Sequence, residues 1–145
     1  MLKKLKITLL LGFYPFLQKY CFPHQKEIGR ILAYLAEAIH DVVPVEDLKP
    51  ILKHLIDNFV SDRCSEEIIC MGLNGVREIL LKNWGIIDEF EVNYLAEYTT
   101  YKNKNVASSA KSIVNFFRDV NPMILEKKHR GYQFLIKLSY IQIIL

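Results

Sequence analysis

Between residues 24 and 118 the apolar positions of this chain recur three and four apart, the spacing that collects side chains on one side of an α-helix. Ile28, Leu32, Leu35 and Ile39 make one such stripe, Ile69, Leu73, Val76 and Leu80 a second, and Val106, Ala110, Ile113 and Phe117 a third. Between the first two lie Leu48, Ile51, Leu52, Leu55 and Ile56, which predict a further helix from about Glu46 to Phe59. The stretch from Asp57 to Ile79 organises the rest. It reads as the end of one helix, a polar corner through Ser61, Asp62 and Arg63, and a second helix opened by Ser65 with Glu66 and Glu67 in its first turn. Free backbone N–H groups and the positive dipole end favour those residue types at a helix start.

The breakers divide the remainder. A short first helix is predicted over residues 13–20, with Pro15 in its first turn and Pro23 beyond its end. A second runs from His24 to about Val42 and stops at Val43-Pro44, because the residue before proline is pushed out of the α region. Pro50 in the third helix is expected in or near the first turn, where a missing N–H is harmless. Gly72 and Gly75 in the fourth weaken it by about 1 kcal/mol each relative to alanine, and so point to close packing. Asp88 and Glu91 have the spacing of a capping box for a fifth helix ending near Thr99. A polar corner follows at Tyr101 to Asn105, then a sixth helix carrying the third stripe. Asn121-Pro122 reads as an N-cap with proline behind it, predicting a seventh short helix from Met123 to about Arg130 that ends at Gly131.

The three stripes superimpose at offsets of 41 and then 37 residues, each the length of one helical hairpin. A period near 40 made of paired helices predicts an all-α, HEAT/armadillo-like helical-repeat solenoid of about three hairpins. An ordinary helical bundle fits the stripes as well, but need not repeat its register. Stacking is favoured energetically. Burying a large aliphatic side chain stabilises by about 1.5–3 kcal/mol, whereas ordering each residue costs roughly 1–2, so a hairpin with four stripe residues needs neighbours.

At 145 residues, 51% of them hydrophobic and 24% charged, the chain fits one globular domain over residues 1–131. The net charge of +3 allows an acidic or nucleic-acid partner without demanding one. Three cysteines, Cys21, Cys64 and Cys70, make no disulfide framework and indicate a reducing compartment. Cys21 with His24, and Cys64 with Cys70, do not supply the converging ligand set of a zinc site, and no metal or other cofactor is expected. Lys3, Lys4 and Lys6 before the apolar run Ile7 to Leu11 resemble a signal segment, but no small-residue cleavage site follows and no run is long enough to span a bilayer. A membrane association is therefore not expected.

No Gly-rich phosphate loop, HExxH or GxSxG element is present, and His24, His40, His54 and His129 have no partners at catalytic spacing. His40 and His54 are expected on helix surfaces or ends, and neither an enzyme nor a small-molecule substrate is predicted. What remains is surface. Lys102 and Lys104 in a corner, and Lys127, Lys128 and Arg130 with His129 near a helix end, are candidate contacts to RNA phosphate or an acidic protein segment; the plain alternative is a solvated, dipole-compensating helix end. Tyr94, Tyr98 and Tyr101 have helical spacing and read as core or interface residues before base-stacking ones.

The segments FYPFLQKY (13–20), PHQKEIGRILAYLAEAIHDVVP (23–44), NFVSDR (58–63), GLNGVREI (72–79), YKNKNVASSAKSIVNFFR (101–118) and NPMILEKKHRG (121–131) resemble, in order, pieces of the Sda (severe depolymerisation of actin) family. The resemblance spans residues 12–131. It implies a helical-repeat scaffold without catalytic activity that rides on pre-ribosomal large-subunit (pre-60S) particles, in the nucleus and nucleolus, and serves large-subunit biogenesis and export to the cytoplasm. The family name implies an indirect link to actin cytoskeleton organisation. Family proteins are several times longer, so a fragment is expected. The repeat pattern alone leaves a second reading, a generic α-solenoid adaptor in intracellular protein transport. After Gly131, residues 132–145 are apolar and β-prone, depart from the family pattern, and are expected to be an atypical tail of the kind a truncated gene prediction leaves.

Overall fold

Ser65 does start a helix, and the chain turns back just ahead of it. In the computed structural model, which describes Pro15, residues 19–39 and residues 43–144, Cys64 N–H donates to the Ser61 carbonyl at 2.9 Å, and the Ser65 hydroxyl accepts from Ile68 N–H at 3.4 Å. Among the described residues all regular structure is helical, with no strand. Two compact units are divided after Ile87.

The first unit is built on three helices, α1 (Ile28–Ala38), α2 (Val45–Phe59) and α3 (Glu66–Lys82), followed by a 3-10 turn at Trp84–Ile86. The third is central, packing on both α1 and α2. Its stripe residues Ile69, Leu73, Val76 and Leu80 are fully buried, as are Leu35 and Ile39 of the first stripe and Leu52, Leu55 and Phe59 of α2. Gly72 lies where α3 crosses the end of α2: a Cβ there would stand 2.5 Å from Phe59 Cβ and 3.2 Å from Val60 Cγ2. Gly75 is looser, with Leu32 and Leu55 methyls 3.9 Å from the equivalent point. Lys82, in the last turn of α3, donates its ammonium to the Ala36 carbonyl.

Three expectations need correction in this unit. The helix predicted from His24 begins only at Ile28, because residues 22–25 form a turn, Gln25 N–H to Phe22 carbonyl at 3.0 Å, and Glu27 is left-handed at φ 59°. Pro50 sits in the second turn of α2, so it forfeits the N–H that the Glu46 carbonyl would otherwise accept. His54 is not a plain surface group: half-buried, it places Nε2 2.6 Å from the Cys21 carbonyl oxygen, with Phe22 edge-on at 5.0 Å, and ties the preceding segment onto α2. The predicted first helix and the lysine-led segment fall outside the described residues, apart from helical Pro15, Lys19 and Tyr20; His40 is outside them too. Among the described residues no helix is long and apolar enough to cross a membrane.

The second unit holds α4 (Glu89–Ala96), a 3-10 turn at Glu97–Thr100, α5 (Lys104–Val120), two further 3-10 turns at Pro122–Ile124 and Lys127–His129, and α6 (Tyr132–Ile144). The capping box is present in full: Glu91 N–H donates to Asp88 Oδ1 at 2.8 Å and Asp88 N–H to Glu91 Oε2 at 3.2 Å. Val106, Ala110, Ile113 and Phe117 are buried against α4 and its following turn. The polar corner is shorter than expected, since Asn103 caps α5 by accepting from Asn105 and Val106 N–H at 2.9 and 3.3 Å.

In place of a single helix from Met123 to Arg130 the chain makes two short turns broken at Leu125-Glu126. The cause is remote in sequence. Asn93 on α4 accepts from Glu126 N–H at 2.9 Å and donates to the Ile124 carbonyl at 3.1 Å, taking backbone groups that a continuous helix would pair internally. Residues 132–144, read as β-prone, are helical. Among the described residues no strand offers a ladder, and a helix satisfies each backbone group locally, which outweighs β propensity.

Candidate interaction surface

Of the candidate cations, Lys102, Lys104 and Lys127 are exposed, and among the described residues no carboxylate pairs with them. Lys128 is held. Its ammonium lies 2.8 Å from Glu97 Oε1 and 3.5 Å from Glu126 Oε2. The hydrogen bond and charge of Lys128 lower the Glu97 pKa, and Glu97 in turn raises that of Lys128. Arg130 is a strut: Nε donates to the Leu125 carbonyl at 2.8 Å and Nη2 reaches the Met123 carbonyl at 3.5 Å, bracing the turns that carry it. The five residues therefore do not form one patch of free charge.

Two cations outside that set change the picture. Lys104, Lys111 and Arg118 stand seven residues apart on α5, with Ser108 and Asn115 between them, and all five are exposed. Seven residues are nearly two turns, so the three charges align along about 21 Å of one helix face. The opposite face is the buried stripe. Arg118 is oriented from two sides, Nε donating to the His129 carbonyl at 2.7 Å and Nη1 to Asn115 Oδ1 at 2.9 Å. Beside it opens a cleft of about 540 Å³, lined by Thr99, Thr100, Lys111, Asn115, Arg118 and Lys128 among others, with no carboxylate on its wall. Runs such as Lys127-Lys128-His129-Arg130 draw attention in a sequence; the seven-residue spacing was the quieter signal for Lys111 and Arg118.

The tyrosines serve one another. Tyr98 is buried, stacks on Tyr101 at 5.6 Å and meets Tyr94 edge-on at 5.7 Å. Glu97, Glu126 and His129 bring ligand-type atoms within 4.8 Å of one another, and the cation that both carboxylates hold is Lys128.

Among the described residues the structure is all helical, with its hydrophobic stripes buried in helix pairs, and taken with a HEAT-repeat family match this is a helical-repeat protein of the HEAT type. A family model described as SDA1, HEAT repeat, matches residues 2–102. The chain is 41% identical over 120 residues to the SDA1 homolog of Nematostella vectensis, covering 83% of this chain and 18% of that protein. It is 42% identical over 122 residues to that of Xenopus tropicalis (84% and 18%), and 36% identical over 126 residues to sda1 of Schizosaccharomyces pombe (87% and 17%). This chain belongs to the SDA1 family, and it spans less than a fifth of the length of these relatives.

Proposed function

We propose that this chain is a non-catalytic scaffold segment in large-ribosomal-subunit biogenesis and nuclear export, working in the nucleus and nucleolus on pre-ribosomal large-subunit particles. The observation that carries the reading is its membership of the SDA1 family, together with what the ordered resemblance over residues 12–131 implies. The architecture supports it. Buried helix faces leave exposed polar faces and corners for partners, which is how helical repeats bind. Free basic side chains at Lys102, Lys104 and Lys127 suit particles rich in RNA phosphate.

The test is co-sedimentation of the tagged chain with large-subunit precursors on a gradient at low salt. Enrichment in the precursor fractions is expected. Absence from those fractions, with recovery of a soluble cargo and no ribosomal proteins, would overturn the reading in favour of a transport adaptor.

A further inference from the structure

We propose that the outer face of α5, Lys104, Ser108, Lys111, Asn115 and Arg118, with the cleft at its C-terminal half, is a docking track for the phosphate backbone of RNA, engaged without regard to base sequence. The proposal deepens the scaffold reading above and rests on it for the identity of the polyanion. Its chemistry stands on the geometry of the second unit.

The charges are placed at a cost. α2, α3 and α4 each carry two acids in the first turn, as the positive dipole end prefers. By contrast α5, like α1, has none, and α5 moreover opens with Lys104. A cation at that end works against helix stability, and an anion docked there relieves the conflict. Lys104 and Lys111 have no carboxylate partner among the described residues, so their charge is available. Arg118 commits Nε and one Nη1 hydrogen to protein acceptors, which fixes the guanidinium and leaves Nη2 to point donors at a ligand. Asn115 spends its carbonyl oxygen on Arg118 and keeps its amide N–H groups.

The same face argues against an acidic protein segment. Stable protein contacts centre on apolar or aromatic anchors, and between Lys104 and Asp119 no large hydrophobic residue is exposed. Phosphate-backbone binding needs no such anchor, because charge neutralisation and polar contacts supply it.

The experiment is fluorescence anisotropy of the purified 145-residue chain with labelled single-stranded RNA of mixed sequence, titrated over a range of salt. K104Q/K111Q is compared with K49Q/K53Q, which removes the same charge from exposed sites on α2. Two lost phosphate contacts lower the slope of log Kobs against log salt by about 1.4, or about 25-fold in affinity at 0.1 M salt. Loss of that size in K104Q/K111Q with little change in K49Q/K53Q is expected, and S108D, which keeps both lysines but sets a negative charge between them, weakens binding likewise. Equal losses in the two double variants, no loss in either, no RNA binding by the parent chain, or equally tight binding of labelled polyglutamate through the same lysines would each overturn the proposal. Failure here leaves co-sedimentation through another surface intact, and failure of co-sedimentation leaves this binary binding measurable, so the two readings fall separately.

Discussion

Replacing Gly72 and Gly75 separately by alanine should move stability in opposite directions, although they lie three residues apart on α3. Each substitution removes a glycine from a helix interior, which by itself stabilises by about 0.5–1 kcal/mol. At Gly75 little opposes that gain, since the new methyl meets Leu32 and Leu55 at 3.9 Å, an ordinary contact. At Gly72 the methyl would stand 2.5 Å from Phe59 Cβ and 3.4 Å from its backbone carbonyl carbon. Carbon atoms prefer about 3.5–4.0 Å, and a Cβ cannot swing aside as a side-chain tip can, so the end of α2 must retreat by about 1 Å. Overpacking of that kind costs about 1–3 kcal/mol, leaving G72A roughly 1–2 kcal/mol less stable than the parent and G75A slightly more stable. At about 2–4 °C per kcal/mol for a chain of this size, the two midpoints should differ by roughly 5–10 °C in thermal melts followed by far-ultraviolet circular dichroism. A G72A midpoint at or above the parent's would refute the account of this helix crossing.

Asn93→Ala removes the acceptor for Glu126 N–H and the donor to the Ile124 carbonyl; with about 1 kcal/mol per hydrogen bond, it should destabilise the second unit by roughly 2 kcal/mol and speed amide exchange at Glu126, and unchanged exchange there would contradict the hold ascribed to it. Burial pushes the Cys21 thiol up from 9.0 to about 11. A folded pKa above the unfolded one means that the neutral thiol's contribution to stability is complete below pH 9 and is lost as pH rises through about 11. Iodoacetamide at pH 8 should therefore modify Cys64 and Cys70 well before Cys21, as peptide mass mapping would show; early modification of Cys21 in the folded chain would contradict its placement.

What a reader could take from the residues alone was whatever depends on near neighbours. The three stripes, the Ser65 cap and the Asp88/Glu91 box are set by residues within a turn or two, and each is where periodicity and capping chemistry put it. The broken turns at 122–129 were hidden because Asn93, about thirty residues earlier, decides them. Tyr132 to Ile144 misled through composition: its isoleucines favour strands only where a neighbouring strand exists. The basic surface was half legible. Adjacent lysines pointed to Lys128 and Arg130, whose charges serve the fold, while Lys111 and Arg118 line up only once α5 is wound.

Gly131 has φ 83°, and a Cβ added to it would come within 3.0 Å of Arg118 Nε. A residue with neither charge nor side chain thus helps decide where the guanidinium of Arg118, thirteen residues earlier, can sit. Any larger residue at 131 would press on that arginine and strain its grip on the His129 carbonyl. A neutral change at this position should accordingly weaken the RNA-phosphate binding proposed for α5, a phenotype that charged residues alone would not reveal.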